Sequence, residues 1–449
     1  MKKLSAVAVA AAMASSLFAT DQVLAKDGVY TASSVGRNGA INVEVVIKND
    51  KIASVKVLDW SETTPVADDA RTKLLEDIVK HQSTEVDVIS GATLSSFAIK
   101  DAVVKCIEKA GLDPAKFEKE VPKPDMLTDT QTLNSDVVII GGGGAGLSAA
   151  VAAAEAGKRV IVLEKNHFLG GNTSVCGGCY NVANVGQDDI EMTKGQHDIV
   201  KNLLAEKPKN KLHGELIAKT KKQYDAYLKS GSKKLFDSPE LHALQTWKSG
   251  DYQANLELVY TLTQNVGGMV KSLEGMGFVW RDKATQFVGA LWPRSNRALN
   301  YKSGVGYIDT FVKYIKEKNL PVTFYLNTTA NDLIVKDGAV VGVKAKNKNG
   351  RSYVVNASGG VVLATGGFGA NVEMRNQYDE LWNKKLGPTT PTTNLRSATG
   401  DGIKLAQQAN AGLTQMGWIQ LFPAGDPSTG ATSFKLGENS CIYVNRDGK

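Results

Sequence analysis

The chain has 449 residues, too many for one ordinary core, so two or three domains are expected. Hydrophobic residues make up 42% and charged residues 22%, the balance of a globular protein and not of a disordered or fibrous one. A formal charge of +7 is too dilute for a nucleic-acid surface, and four cysteines are too few for a disulfide scaffold.

Residues 1–25 read as a secretory signal peptide. Lys2 and Lys3 start it, an Ala- and Val-rich run from Leu4 to Phe18 follows, and Val23-Leu24-Ala25 supplies small residues at the cleavage site. The run is broken by Ser15 and Ser16, whereas a membrane span needs about 20 mostly apolar residues, so no membrane insertion is expected. No cysteine follows the run, which removes a lipoprotein anchor. The expectation is a mature chain from Lys26 in the periplasm.

Residues 26–112 form the first expected domain. Apolar and polar residues alternate from Gly28 to Trp60, with Asn49-Asp50 as punctuation, the pattern of half-buried antiparallel strands. Helices are expected over residues 72–81 and 95–110. Between them lies "DVISGATLSS", where Ser90, Gly91 and Ala92 carry so little bulk that the hydroxyl of Thr93 can be approached by a large group. The plainer role for Thr93 is a helix N-cap. The module resembles the FMN-binding domain family of sodium-pumping quinone reductases and exported reductases. The resemblance implies that a flavin-attachment enzyme joins FMN covalently through its phosphate to Thr93, the last residue of the motif that begins at Asp87.

Residues 113–133 contain Pro114, Pro122 and Pro124 among charges without apolar periodicity, and read as a semi-extended linker.

Residues 134–414 form the second expected domain. A buried strand, a glycine turn, an Ala-rich helix and a second strand ending in Glu164 follow one another from Asp136 to Lys165. Gly141, Gly143 and Gly146 have the spacing of a dinucleotide fingerprint, in which the turn is tight, the backbone approaches a pyrophosphate, and helix packs closely on sheet. The helix N-terminus then faces the phosphates, and Glu164 stands where an acid accepts from the adenosine ribose. The following segments "LGGNTSVCGGCYN", "VVLATGGFGAN" and "TGDGIKLAQQANAG" resemble the fumarate reductase and succinate dehydrogenase flavoprotein family. That resemblance implies non-covalent FAD, not NAD. It assigns cofactor contacts to Gly141, Gly143, Gly144, Ala145, Gly146, Glu164, Lys165, Gly170, Gly171, Asn172, Thr173, Gly177, Gly178, Ala364, Thr365, Gly366, Gly367 and Asp401.

Within this domain residues 186–320 read mostly as amphipathic helices, followed by strands over 322–326, 332–335, 340–346 and 352–356. The lysines between Lys207 and Lys234 are interleaved with Glu215, Asp225 and Asp237, as on solvated helix faces. Arg294 and Arg297 read either as phosphate or substrate contacts or as surface residues. Cys176-Gly-Gly-Cys179 lacks the following histidine that haem attachment requires, since Tyr180 is there. It reads either as a disulfide or as a tight loop facing the cofactor. No metal site is expected.

Residues 415–449 resemble the start of the family's capping domain, with two departures. Phe422 stands before Pro423 where fumarate reductases have a carboxylate-binding histidine, and Phe434 falls where the family has a glutamate. Phenylalanine cannot hydrogen-bond an anion, so the expected substrate is a 2-enoate with an uncharged or aromatic far end, as in urocanate reductases. The resemblance places the proton-donating arginine beyond Lys449, so the chain is expected to be a fragment or a natural truncation.

The expected fold is α/β, a Rossmann-like FAD-binding domain preceded by a small α+β FMN-binding domain. The implied activity is reduction of an enoate C=C bond, with electrons passing from a periplasmic donor, such as a cytochrome c or a quinol dehydrogenase, through FMN to FAD. Fumarate reduction and a non-catalytic electron carrier are the alternatives. The expected partners are that donor, the attachment enzyme and a small carboxylate.

Overall fold

Strand β1 (Gly28–Val35) pairs antiparallel with β2 (Ala40–Lys48), and β2 with β3 (Lys51–Val57), in a sheet of order β1-β2-β3. This comes from a computed structural model that describes residues 27–421, apart from Pro124, Val288, Gly289 and Lys385. The signal-peptide reading, Phe422 and Phe434 lie outside the described residues. In β2, Ile41, Val43, Val45 and Ile47 are fully buried and alternate with residues on the other face, as a one-sided sheet requires. Asn49 and Asp50 both have positive φ, the conformation a two-residue hairpin turn needs.

Helix α1 (Lys73–His81) packs on β3, and α2 (Thr93–Lys109) packs on β1 and β2. Ala98, Ile99, Ala102, Val103, Cys106 and Ile107 give α2 a continuous buried stripe. From the same helix Lys105 and Lys109 donate to Ser33 O at 3.2 Å and Thr31 O at 2.7 Å. Charged side chains therefore occupy carbonyls of an edge strand that would otherwise invite pairing. The segment after α2 is packed and not extended. Asp113 caps a short 3-10 turn over Pro114–Phe117, Phe117 is 4% exposed in the core, and Thr84 N–H donates to Phe117 O at 2.7 Å. This first compact unit runs to Asp125.

The second unit starts at Met126 and opens with β4 (Thr130–Ile140), α3 (Gly144–Glu155) and β5 (Val160–Leu163). A short helix α4 (Gly171–Val175) and a two-residue strand β6 (Tyr180–Asn181) follow. Then come α5 (Lys194–Leu204), α6 (Lys211–Lys229), α7 (Pro239–Ser249) and α8 (Leu256–Gly275). Side chains of Thr193, Asn210, Ser238 and Asn255 accept the first N–H groups of these four helices, which fixes where each begins. The remaining elements are β7 (Ser295–Asn296), α9 (Val305–Glu317), β8 (Val322–Tyr325), β9 (Thr328–Lys336), β10 (Ala339–Asn347), β11 (Ser352–Leu363), α10 (Val372–Tyr378) and α11 (Asp401–Gln408).

The main sheet has the order β8-β5-β4-β11-β10-β9. Strands β8, β5, β4 and β11 are parallel, and β10 and β9 continue antiparallel. Every residue of β5 is buried, as expected for a parallel strand covered on both faces. The strand expected over 352–356 continues to Leu363 in β11, which runs as one strand of 12 residues with a register shift between Ala357 and Gly360. Among the described residues no helix is long and apolar enough to cross a membrane.

Candidate functional site

Three parallel strands end together, and their C-terminal ends define the site. Ile140 and Gly141 close β4, Leu163 and Glu164 close β5, and Leu363 and Ala364 close β11, all lining a cavity of about 520 Å³. Ligands of open parallel sheets bind at this edge of the strands. The turn from β4 into α3 leaves no room for side chains at two points. A Cβ on Gly146 would lie 1.9 Å from Gly141 O, and one on Gly141, whose φ is +106°, would lie 2.4 Å from Ala364 O. The N-cap of α3 is Gly143, which has no capping side chain, so Gly143, Gly144 and Ala145 present backbone to the cavity. Gly144 N–H donates to Thr173 Oγ1 at 3.2 Å, and the remaining helix-end dipole favours a negative group.

Glu164 is 5% exposed, and its two oxygens accept from Asn166 N–H and Gly142 N–H, each at 2.8 Å. Burial pushes its carboxyl above the ordinary range, against the pull of these hydrogen bonds. Each oxygen keeps a further lone pair for a hydroxyl donor. Across the cavity Lys165 Nζ meets Asp401 Oδ2 at 2.6 Å and Thr399 Oγ1 at 2.8 Å, while Thr399 donates to Asp401 Oδ1 at 2.7 Å. Burial raises the Asp401 carboxyl, but the hydrogen bonds from Lys165 and Thr399 outweigh it and hold it below its usual value.

Gly170, Gly171, Asn172 and Thr173 line the third side. Asn172 fastens a distant segment, donating to Asn394 Oδ1 at 2.7 Å and accepting from Leu395 N–H at 2.8 Å. Ala364, Thr365, Gly366 and Gly367 close the fourth side. A bare-backbone helix end, a buried carboxylate held against the glycine turn beside it and a wall of small residues fit an extended dinucleotide.

Three of the expected contacts lie elsewhere. Gly146 packs beneath the turn against Gly141, and neither Gly177 nor Gly178 lines the cavity. Gly178 instead lets its loop approach Ser303, whose backbone would lie 2.9 Å from an added Cβ. The cavity also takes Asn166, Thr328, Ala330, Ser397, Gly402 and Leu413, which the sequence reading missed. Asn166 was legible as the neighbour of Lys165, but Thr328 and Leu413 reach the site through sheet topology and carry no local motif.

Neither open reading of Arg294 survives. It is 5% exposed and forms a bidentate pair with Asp237 at 2.8 and 2.6 Å, and it also donates to Gln245 Oε1 at 2.7 Å. Gln187 adds a donor to Asp237 Oδ2 at 2.8 Å, so this buried pair is satisfied by its own surroundings. Arg297 is half-buried and donates to Cys179 Sγ at 3.1 Å. Cys176 and Cys179 are both free thiols.

In the first unit Thr93 is the first residue of α2 and Ala92 is its N-cap, so the helix does not use Thr93 as its cap. Thr93 is partly exposed. The start of the helix is held from two sides. Ser95 Oγ donates to the buried Glu62, which also accepts from Arg37 N–H at 3.2 Å and Asn38 N–H at 2.9 Å, and Ser96 Oγ accepts from Ile89 N–H at 3.1 Å.

The FMN-binding domain family matches residues 36–108, and the FAD binding domain family matches residues 136–211 and 224–449. The chain is similar to NADH:acrylate oxidoreductase of Vibrio harveyi, at 36% identity over 443 residues covering 94% of this chain and 43% of that protein. Urocanate reductase of Eggerthella lenta is 31% identical over 435 residues, covering 93% of this chain and 62% of that protein. A fumarate reductase (cytochrome) of Shewanella frigidimarina is 29% identical over 316 residues, covering 70% of this chain and 47% of that protein. The chain thus spans between 43% and 62% of the length of these relatives. Matched over more than half of its residues, and with the strand ends and glycine turn arranged as above, the chain belongs to the FAD binding domain family of flavoproteins and carries an FMN-binding domain ahead of that match.

Proposed function

We propose that this chain is the flavin-bearing part of an exported reductase acting on the C=C bond of 2-enoates, with FAD in the cavity of the second unit and FMN joined covalently to Thr93. The observation that carries the reading is the convergence of the β4, β5 and β11 ends with the bare N-terminus of α3 on one cavity. The named substrates of the three relatives support the reaction class, since acrylate, urocanate and fumarate all have a C=C bond beside a carboxylate. Bound flavin supplies hydride transfer, which amino-acid side chains do not. The protein's own residues do the holding. The backbone of Gly143 and Ala145 at the start of α3 would hold the pyrophosphate, Glu164 would accept from the ribose hydroxyls, and the Lys165–Asp401 pair braces another part of the lining.

Electrons enter from a periplasmic donor of the cytochrome c or quinol dehydrogenase class and pass through FMN to FAD. The signal-peptide reading of residues 1–25 and the cytochrome named in the Shewanella relative support this donor, whereas the Vibrio relative is named for NADH. Phe422 and Phe434 favour urocanate-like or aryl acrylates over fumarate, because an unpaired buried carboxylate costs several kcal/mol.

The test has two arms. After co-expression with a flavin-attachment enzyme, one flavin should survive denaturation and Thr93→Ala should remove it; persistence of that flavin in the variant places the attachment elsewhere. A longer reductase that contains this chain together with the proton-donating arginine, loaded with flavin and reduced by a dye, should be reoxidised by urocanate or cinnamate faster than by fumarate. Equal or faster reoxidation by fumarate refutes the substrate preference, and flavin reduction with no enoate turnover leaves an electron carrier.

A further inference from the structure

The Cys176-Gly-Gly-Cys179 motif is left without a role by the cofactor site. Both thiols fold back on the same pair of glycines. Gly178 N–H lies 3.4 Å from Cys176 Sγ, and Cys179 Sγ lies 3.9 Å from Gly177 O. Cys176 Sγ donates to Thr173 O at 3.1 Å, whereas Cys179 has a cationic neighbour from another part of the chain. Arg297 Nε donates to Cys179 Sγ at 3.1 Å. Cys176 Sγ lies against Gly304, the N-cap of the 13-residue helix α9, where an added Cβ would be 2.7 Å from the sulfur. Cys176 is exposed and Cys179 is half-buried. Among the described residues no group of three or more His, Cys, Asp and Glu side chains could hold a metal ion, so the pair is not part of a metal cluster there.

We propose that Cys176 and Cys179 form a redox-active dithiol that exchanges with disulfides, small or protein-borne, with Cys176 as the attacking and Cys179 as the resolving thiol. Cys176 Sγ attacks one sulfur of the reagent disulfide, forming a mixed disulfide and expelling the other sulfur as a thiolate. Cys179 Sγ then attacks the Cys176 sulfur and expels the second thiolate, closing the Cys176–Cys179 bond. The two thiol protons pass to the departing thiolates, so two electrons leave the protein and the reagent ends as two thiols. The exposed sulfur must attack first because a bulky disulfide reaches it, and the half-buried sulfur needs only its neighbour. Arg297 is a positioning residue that steadies Cys179 in the reduced pair.

The experiment uses the full chain equilibrated in glutathione buffers of stepped ratio, quenched with a maleimide and mapped by peptide mass. Cys176 and Cys179 should lose their label together in one two-electron transition that reductant reverses, while buried Cys106 does not change. Cys179→Ser should accumulate a glutathione mixed disulfide on Cys176, and Cys176→Ser should not accumulate one on Cys179. Arg297→Gln should raise the oxidised-to-reduced ratio at a fixed buffer roughly tenfold, because a charge-assisted hydrogen bond to the reduced form is lost. A purely structural role for Arg297 leaves that ratio unchanged. The proposal is overturned if both thiols label fully at every ratio, if each forms its own mixed disulfide independently, or if the bond that forms joins either to Cys441.

Discussion

Gly146 and the pair Arg294–Asp237 are two positions where one atom too many or too few decides whether the second unit holds together. At Gly146 even a methyl group meets Gly141 O at 1.9 Å, and that oxygen is backbone of the turn between β4 and α3, which cannot swing aside as a flexible side chain would. Gly146→Ala should therefore force α3 away from β4, at a cost of about 1–3 kcal/mol. Flavin content after purification, read by absorbance, should fall with the melting temperature, and unchanged flavin content shows that the turn tolerates the shift. Arg294 and Asp237 are a buried charge pair, so removing one partner strands the other. Asp237→Asn should cost about 3–5 kcal/mol in urea unfolding, and the double change of Asp237→Leu with Arg294→Met should recover much of that loss. A single variant as stable as the parent, or a double variant no better than the single, contradicts this account. Cofactor glycines could be read from the sequence because their spacing encodes backbone geometry. The partner of Arg294 could not, since Asp237 lies 57 residues away and only tertiary packing brings it within 2.6 Å.

Helices α5 to α8 pack around Leu216, Leu241, Leu244, Trp247 and Trp292, and two buried ionisable groups of α7 make this layer sensitive to acid. His242 is pushed down to about 3, first by burial and then by the Arg294 charge. Its folded form stays neutral where the unfolded form takes up a proton. The stability it contributes is present above about pH 6.5 and is lost as pH falls towards 3. Glu240 is raised by burial, but hydrogen bonds from Lys219, Gln223 and Tyr260 outweigh this and hold it at about 2. Its contribution is present above the ordinary glutamate range and is lost as pH falls towards 2. Unfolding free energy should thus decline in two stages below neutrality. His242→Gln should flatten the first stage, between about pH 6.5 and 4, and leave the second, and an unchanged slope in that window disposes of the histidine's role. The sequence marks this stretch only as amphipathic helices; the capping residues Thr193, Asn210, Ser238 and Asn255 that set where each begins emerge from the structure. Strand β11 was legible only in part. The expected strand stops at Asn356 because Ala357, Ser358, Gly359 and Gly360 are small and carry no alternation, yet a register shift against β4 lets the pairing run on past them.

At the scale of the whole molecule, each unit builds a core of its own, and the boundary between them follows from what each core buries. Composition marks residues 113–133 as a connector, since prolines and charges interrupt any apolar period. The structure divides that stretch. Its first part completes the first unit through Phe117, through Ser83 Oγ donating to Lys119 O at 2.6 Å, and through Thr84 N–H donating to Phe117 O at 2.7 Å. Its last part begins β4 at Thr130. One aromatic side chain among polar neighbours gives no periodic signal, so its burial was not legible beforehand. The consequence can be measured. A polypeptide of residues 26–125 should fold cooperatively alone, because its sheet, both helices and their core are complete within it. Ending it at Leu112 instead removes a buried phenylalanine and leaves the backbone N–H of Thr84 without its acceptor. A buried aromatic contributes about 3–5 kcal/mol. For a domain of this size each kcal/mol corresponds to roughly 4–8 °C in melting temperature. The shorter polypeptide should melt at least about 12 °C lower by circular dichroism, or fail to fold. Equal melting temperatures would mean that Phe117 adds nothing to the core and that the connector begins at Asp113 after all.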